Sequence, residues 1–139
     1  MGKKQKICGL IFLIICFCGC QKRESTHSNL VTSIEVTCHH NGRVLVRNYQ
    51  KPDKISAILN YLRSQIYRGR ATVDPERLPG DKFLLILRYS DGHTAKIIQR
   101  ANGYLSRNYH RWEKIDSKRA SRLYPLLLAI PEDLPVNQT

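Results

Sequence analysis

The sequence predicts an α+β domain: an antiparallel sheet of about five or six strands with two helices packed on one face, in the order ββαβββ(β)α. Three observations lead there. Apolar residues alternate on either side of tight-turn dipeptides at Asn41-Gly42, Asp91-Gly92 and Asn102-Gly103; a stripe at helical spacing follows Pro52-Asp53; and a second follows Asp116. All of them fall within residues 33–131, a length that can supply one hydrophobic core.

The first hairpin runs from Ser33 to Gln50. Ile34, Val36 and Cys38 alternate with polar neighbours, and Val44-Leu45-Val46 returns. Asn41 and Gly42 both tolerate the positive φ that a type I′ turn demands. Pro52-Asp53 then opens a helix carrying Ile55, Ile58, Leu59, Leu62 and Ile66 on one side, with Gly69 as the expected stop. That stripe is core rather than a binding motif. Arg70 to Asp81 contains Pro75, Pro79 and Gly80 and is expected to be an ordered loop. Phe83 to Tyr89 and Thr94 to Gln99 flank Ser90-Asp91-Gly92-His93, so a second hairpin is expected, its first strand apolar enough to be central. Asn102-Gly103 turns the chain into Tyr104-Leu105, and Trp112 to Ile115 is a further strand. Asp116 caps a last helix bearing Ala120, Leu123, Leu127 and Leu128, which Pro125 is expected to break or kink. Pro131 and Pro135 close the domain, and residues 132–139 are expected to be a disordered tail.

The N-terminus concerns address rather than fold. Met1 to Lys6 is basic, Ile7 to Gly19 is apolar, and Cys20-Gln21-Lys22-Arg23 opens a polar stretch. A charged start followed by a short apolar run and small residues makes a secretory signal. A permanent transmembrane helix needs about 20 apolar residues. The segment between Lys6 and Lys22 reaches only about 22 Å at 1.5 Å per residue, short of the roughly 30 Å hydrocarbon layer. Met1-Gly2 is no myristoylation signal, because Lys6 stands where Ser or Thr is needed.

Phe17-Cys18-Gly19-Cys20 resembles the lipobox of bacterial lipoproteins, an apolar residue and two small ones before a cysteine. The resemblance implies removal of residues 1–19, diacylglycerol on the Cys20 sulfur, and a further acyl chain on the new amine. Phe17 and Cys18 depart from the commonest Leu-Ala or Leu-Ser. Two or more acyl chains hold a protein stably on a bilayer. The expected arrangement is therefore a lipid-anchored protein on the extracytoplasmic face of a cell membrane, with residues 20–32 as a flexible tether. The folded part also resembles small uncharacterised lipoproteins of Gram-positive bacteria in Pro52-Asp53, Ser90-Asp91-Gly92 and Trp112-Glu113-Lys114-Ile115-Asp116. Those motifs are structural and imply no activity.

Of five cysteines, Cys8, Cys16 and Cys18 would leave with the signal and Cys20 would carry lipid. Cys38 remains alone and is expected to pack as a small apolar group, with no internal disulfide. Charge is the compositional extreme: 23 Lys and Arg against 11 Asp and Glu. Such a surplus draws a domain toward anionic surfaces.

Catalysis and metal binding are not expected. Cys38-His39-His40 invites a metal, but neighbouring strand residues point to opposite faces, so Cys38 and His39 cannot share an ion, and zinc-site spacings are absent. Ser, His and Asp occur in no catalytic frame. No cofactor is expected. The C-terminal half is more informative. Lys96, Arg100, Arg107, Arg111, Lys114, Lys118, Arg119 and Arg122 face only Glu113 and Asp116, with Tyr104, Tyr109, Trp112 and Tyr124 interleaved. Arginine beside exposed aromatics grips phosphates, sugars and protein surfaces alike. Arg100, Arg107, Arg111, Trp112, Arg119 and Arg122 are therefore the candidate surface for an anionic polymer, a lipid headgroup, nucleic acid or an envelope protein partner. The bland alternative is that the charges coat a solvated face and the aromatics are core.

Overall fold

The computed structural model describes residues 30–133. The expected signal peptide, the expected lipid attachment at Cys20, most of the expected tether and the last six residues lie outside them. Seven antiparallel strands form one sheet: β1 (Val31–His40), β2 (Arg43–Tyr49), β3 (Tyr67–Arg70), β4 (Lys82–Tyr89), β5 (Thr94–Arg100), β6 (Tyr104–Arg107) and β7 (Trp112–Ile115). Among the described residues three helices accompany it: α1 (Pro52–Arg63), α2 (Ser117–Ala120) and α3 (Leu123–Ala129). The strand order is β2-β1-β4-β5-β6-β7-β3, so the chain visits both edges before filling the centre.

Pairing register sorts the side chains onto two faces. Ile34, Val36 and Cys38 of β1, Phe83, Leu85 and Leu87 of β4, Ile97 of β5 and Leu105 of β6 point to one side, where they form a single core with Ile55, Ile58 and Leu62 of α1 and Leu123 and Leu127 of α3. Both helical segments thus cover the same face, as expected. Within that core Tyr61 donates its hydroxyl proton to Gln99 Oε1, and Gln99 Nε2 donates to the Ala120 carbonyl at 3.0 Å. This buried chain ties α1, β5 and the end of α2 together.

The opposite face is covered by chain. Between β3 at one edge and β4 at the centre, residues 71–81 cross β7, β6 and β5, carrying a single 3-10 turn at Pro75–Arg77. Beneath them Ile98 and Ser106 are almost inaccessible, and Trp112 is half-buried.

Several local expectations change. Strand β3 occupies the stretch expected to end α1 and begin a loop. It lacks apolar alternation because all four of its residues are exposed at the sheet edge, and Gly69 sits in a bulge at φ +113° rather than terminating a helix. Helix α1 stops at Arg63, so Ile66 lies beyond it and is partly exposed. The last helix is divided at Ser121-Arg122, before Pro125. That proline therefore sits in the first turn of α3, where its missing N–H leaves no helical bond unmade. Leu128, counted with the core, faces solvent. The Asn102-Gly103 turn is shifted by one residue: Ala101 and Asn102 hold the positive φ, at 50° and 49°, because Arg100 pairs with Tyr104.

Both domain boundaries move outward. Val31 belongs to β1, opposite Tyr89, and the Leu30 carbonyl accepts the Ser90 N–H at 2.8 Å. At the other end Asp133 is fixed, not frayed. Its carboxylate accepts the N–H groups of Gln50 and Lys51 and binds Lys54 Nζ at 2.7 Å. Helix α1 has no cap from its own N-cap residue, Lys51. Asp133 supplies the missing anion there, and Lys54 with the two N–H groups holds its carboxyl down to about 2.

Candidate anion-binding groove

The six predicted surface residues do not converge. Arg100 lies on the loop-covered face, where it clamps residues 71–81: its guanidinium donates to the carbonyls of Pro75, Glu76 and Leu78 at 3.3, 2.9 and 3.0 Å. Arg119 donates to the Ser64 carbonyl at 3.0 Å, closing the C-terminus of α1. Trp112 is half-buried and lines a shallow depression with Ala71, Val73 and Pro75. Arg122 is exposed at the start of α3, its N–H bonded to the Arg119 carbonyl at 3.2 Å, and it lines neither depression described below. Arg100 and Arg119 thus spend their guanidinium donors on backbone carbonyls, while Trp112 shares its depression with Arg111.

Arg107 and Arg111 do come together. The Arg107–His110 turn closes on a His110 N–H bond to the Arg107 carbonyl at 3.1 Å, and Asn108 and Tyr109 both take positive φ, 53° and 59°. A tyrosine in that region costs about 1–2 kcal/mol. The Asn108 side chain accepts the Lys96 N–H at 2.8 Å, which fixes the turn to the end of β5. On one flank Arg107 Nη2 donates to the Tyr67 hydroxyl at 2.6 Å; on the other, Lys96 Nζ lies 5.7 Å from the centre of the Tyr109 ring.

Two adjoining depressions meet at this turn. The first, about 480 Å³, has Leu87, Ala95 and Ile97 of the sheet as its floor and Leu59, Leu62 and Arg63 of α1 as a wall. Leu30, Val31 and Tyr89 form one end, and Lys96, Arg107 and Asn108 the other. The second, about 450 Å³, continues past Arg107 between Tyr67, Leu105, His110, Arg111 and Glu113. Both volumes fall within the roughly 300–1,000 Å³ range of small-molecule sites.

Nearly every acid in the described residues is taken: Glu35, Asp74, Glu76, Asp81, Asp91, Asp116, Glu132 and Asp133 all pair with a basic residue elsewhere in the fold. Arg63, Arg107 and Arg111 make no ion pair among the described residues; Glu113 lines the second depression with Arg107 and Arg111, and Asp74 shares another with Arg111. A cluster of unneutralised cations with aromatic neighbours and an apolar floor can hold an anion that carries an apolar part.

Arg63, Leu59, Ala95, Ile97 and Tyr67 were not foreseen as site residues. One signal existed: the β5–β6 hairpin places Ile97 opposite Arg107, so Ala95, Ile97 and Arg107 share a face. Using it requires knowing that α1 leaves the end of that face open, which periodicity alone does not show.

The Cys38-His39-His40 cluster resolves as geometry dictates. Cys38 is fully buried, and burial with the nearby Asp81 carboxylate pushes its thiol up to about 11. His39 is exposed on the other face. His40 is more structural than a turn-side histidine was expected to be: Nδ1 bonds Asp81 at 2.8 Å and the ring stacks on Tyr124 at 3.9 Å between centroids. Among the described residues no three metal-ligating side chains gather, and no helix is long and apolar enough to cross a membrane. No protein-family model, curated protein or solved structure matches the chain.

Proposed function

We propose that this chain is a lipoprotein anchored through Cys20 to the extracytoplasmic face of a cell membrane, and that its domain is a noncatalytic binding module. Its binding end is the groove around Arg107, and its ligands are anionic. The observation that carries this reading is the lining of the groove: Arg63, Arg107 and Arg111, none of them in an ion pair among the described residues, gather beside an apolar floor of Leu87, Ala95 and Ile97. Residues held in strained backbone gather at ligand sites, and Tyr109 in that same turn fits the pattern.

The tether supports the same end. Leu30, where the described chain begins, itself lines the groove, so a lipid on Cys20 would keep that end near the bilayer. Each basic residue near an anionic leaflet contributes about 1 kcal/mol.

A protein partner in the envelope is the second reading. It rests on the exposed Tyr109 and Tyr67 beside Arg107, since aromatic and Arg side chains dominate interface hot spots. The sheet face away from the helices adds nothing to it, because residues 71–81 lie across that face and Trp112 is half-buried there.

Two measurements test the proposal. Mass spectrometry of the mature N-terminus should find a diacylglyceryl cysteine at position 20; an unmodified cysteine or an intact leader refutes the anchoring. Vesicle co-sedimentation should show binding to anionic but not neutral vesicles, falling steeply with salt and weakened by Arg107→Glu with Arg111→Glu. Binding that ignores salt and these substitutions refutes the anionic reading and favours a protein partner.

A further inference from the structure

We infer that the groove under α1 takes one long-chain fatty carboxylate, its headgroup at Arg63 and Arg107 and its tail along the floor toward Leu30. The inference rests on the anionic reading above and deepens it by naming the ligand class.

Topology supplies the polarity. Helix α1 leaves the edge strand β2 and ends before the opposite edge strand β3, so it crosses the sheet face and its C-terminal Arg63 lies on the β6–β7 side. Arg107 stands on that same side, opposite Ile97 and directed to the helical face. Along the strand order the groove therefore begins with Leu30 and Val31 at β1, passes Leu87 and Tyr89 at β4, then Ala95 and Ile97 at β5, and reaches Arg107 at β6. Four neighbouring strands cover about 14 Å at the usual spacing. The lining changes from apolar to cationic across that distance, which is the pattern of an amphiphile with a single charged end.

Size and charge narrow the class. About 480 Å³ accommodates one alkyl chain more readily than the two of a diacyl lipid. Arginine forks match carboxylate geometry, and no acid lines this part of the groove to repel it. Ala95 keeps the floor open, since a larger side chain there would fill the space between β5 and Leu59 of α1.

The test uses the full chain in phosphatidylcholine nanodiscs with a photoreactive diazirine palmitate, and peptide mapping of the adducts. Labelling should concentrate on the segments containing Leu59 to Arg63 and Leu87 to Ile97. Unlabelled palmitate should compete, whereas hexadecanol, with the same chain and no charge, should compete roughly tenfold less well. Ala95→Trp should abolish labelling. Arg107→Glu, an exposed change that keeps the floor intact, should weaken it roughly tenfold, and Arg122→Glu should leave it unchanged. Adducts scattered over the surface, equal competition by hexadecanol, or unaltered labelling in Arg107→Glu would each overturn the inference. Anionic-vesicle binding measured on the same preparations separates the two claims: vesicle binding without groove labelling defeats the fatty carboxylate alone, and loss of both defeats the anionic reading as well.

Discussion

The chain Tyr61–Gln99–Ala120 offers a quantitative check on how the helices are held to the sheet. Gln99 is 1% exposed, and its amide carbonyl receives the Tyr61 hydroxyl while its NH₂ serves the Ala120 carbonyl. Tyr61→Phe leaves Gln99 Oε1 buried without a donor, which costs about 1–3 kcal/mol. Gln99→Met, close to isosteric, removes both of its bonds, yet the Tyr61 hydroxyl already lies 3.1 Å from the Ala120 carbonyl and can turn to it. One good bond is lost and nothing is orphaned, so the cost is about 0.5–1.5 kcal/mol. In the double variant only the Ala120 carbonyl lacks a partner, at about 1–3 kcal/mol again. The order of stability should therefore be parent, Gln99→Met, then Tyr61→Phe level with the double variant, a clear departure from additivity. Urea unfolding with a constant m-value reads it directly. If Gln99→Met is the more damaging single change, or if the two effects add, the hydroxyl does not exchange acceptors and the reasoning fails.

Three further outcomes are expected. Arg100→Met should free residues 71–81 at a cost of about 1.5–3 kcal/mol to that segment's attachment, seen as new cleavage sites there in limited proteolysis; an unchanged digestion pattern would contradict the clamp. The Asp133 carboxyl is held near 2 when folded against about 3.9 when unfolded, so its contribution is complete above about pH 4 and disappears as pH falls toward 2. The melting-temperature gap between the parent and Asp133→Asn should close across that window, and a gap that widens there would refute the capping role. Cys38, buried and with its thiol raised to about 11, should resist a thiol reagent at pH 8 until denaturant opens the core. Rapid labelling of the native protein at that position would show the core is misplaced.

The parts of the fold legible in the sequence are those in which each residue answers to its neighbours. Ile34, Val36 and Cys38 alternate, Asn41 and Gly42 admit positive φ, and Asp116 reaches its own helix, accepting the Arg119 N–H. What escaped reading depends on distant partners. Strand β3 has no pattern of its own and exists because β7 offers an edge. Asp133 reads as tail until the start of α1 stands beside it. The candidate site divides in the same way: Arg107 and Arg111 carry recognisable chemistry, but Arg100 and Arg119 have the same composition and spend their donors on backbone carbonyls. Arginine side chains reach too far for local sequence to say which surface they serve.

The order in which the strands are joined bears on how the chain can acquire its shape at all. Residues 67–70 pair only with residues 112–115, and residues 50 and 51 await a carboxylate at 133. A polypeptide emerging N-terminus first therefore exposes one outer seam until nearly the whole domain has been delivered, and the start of its opening helix lacks its capping carboxylate until residue 133 arrives. Closure of that seam and of that cap is therefore late, and a copy ending before residue 133 would lose a fastening some eighty residues earlier in the chain.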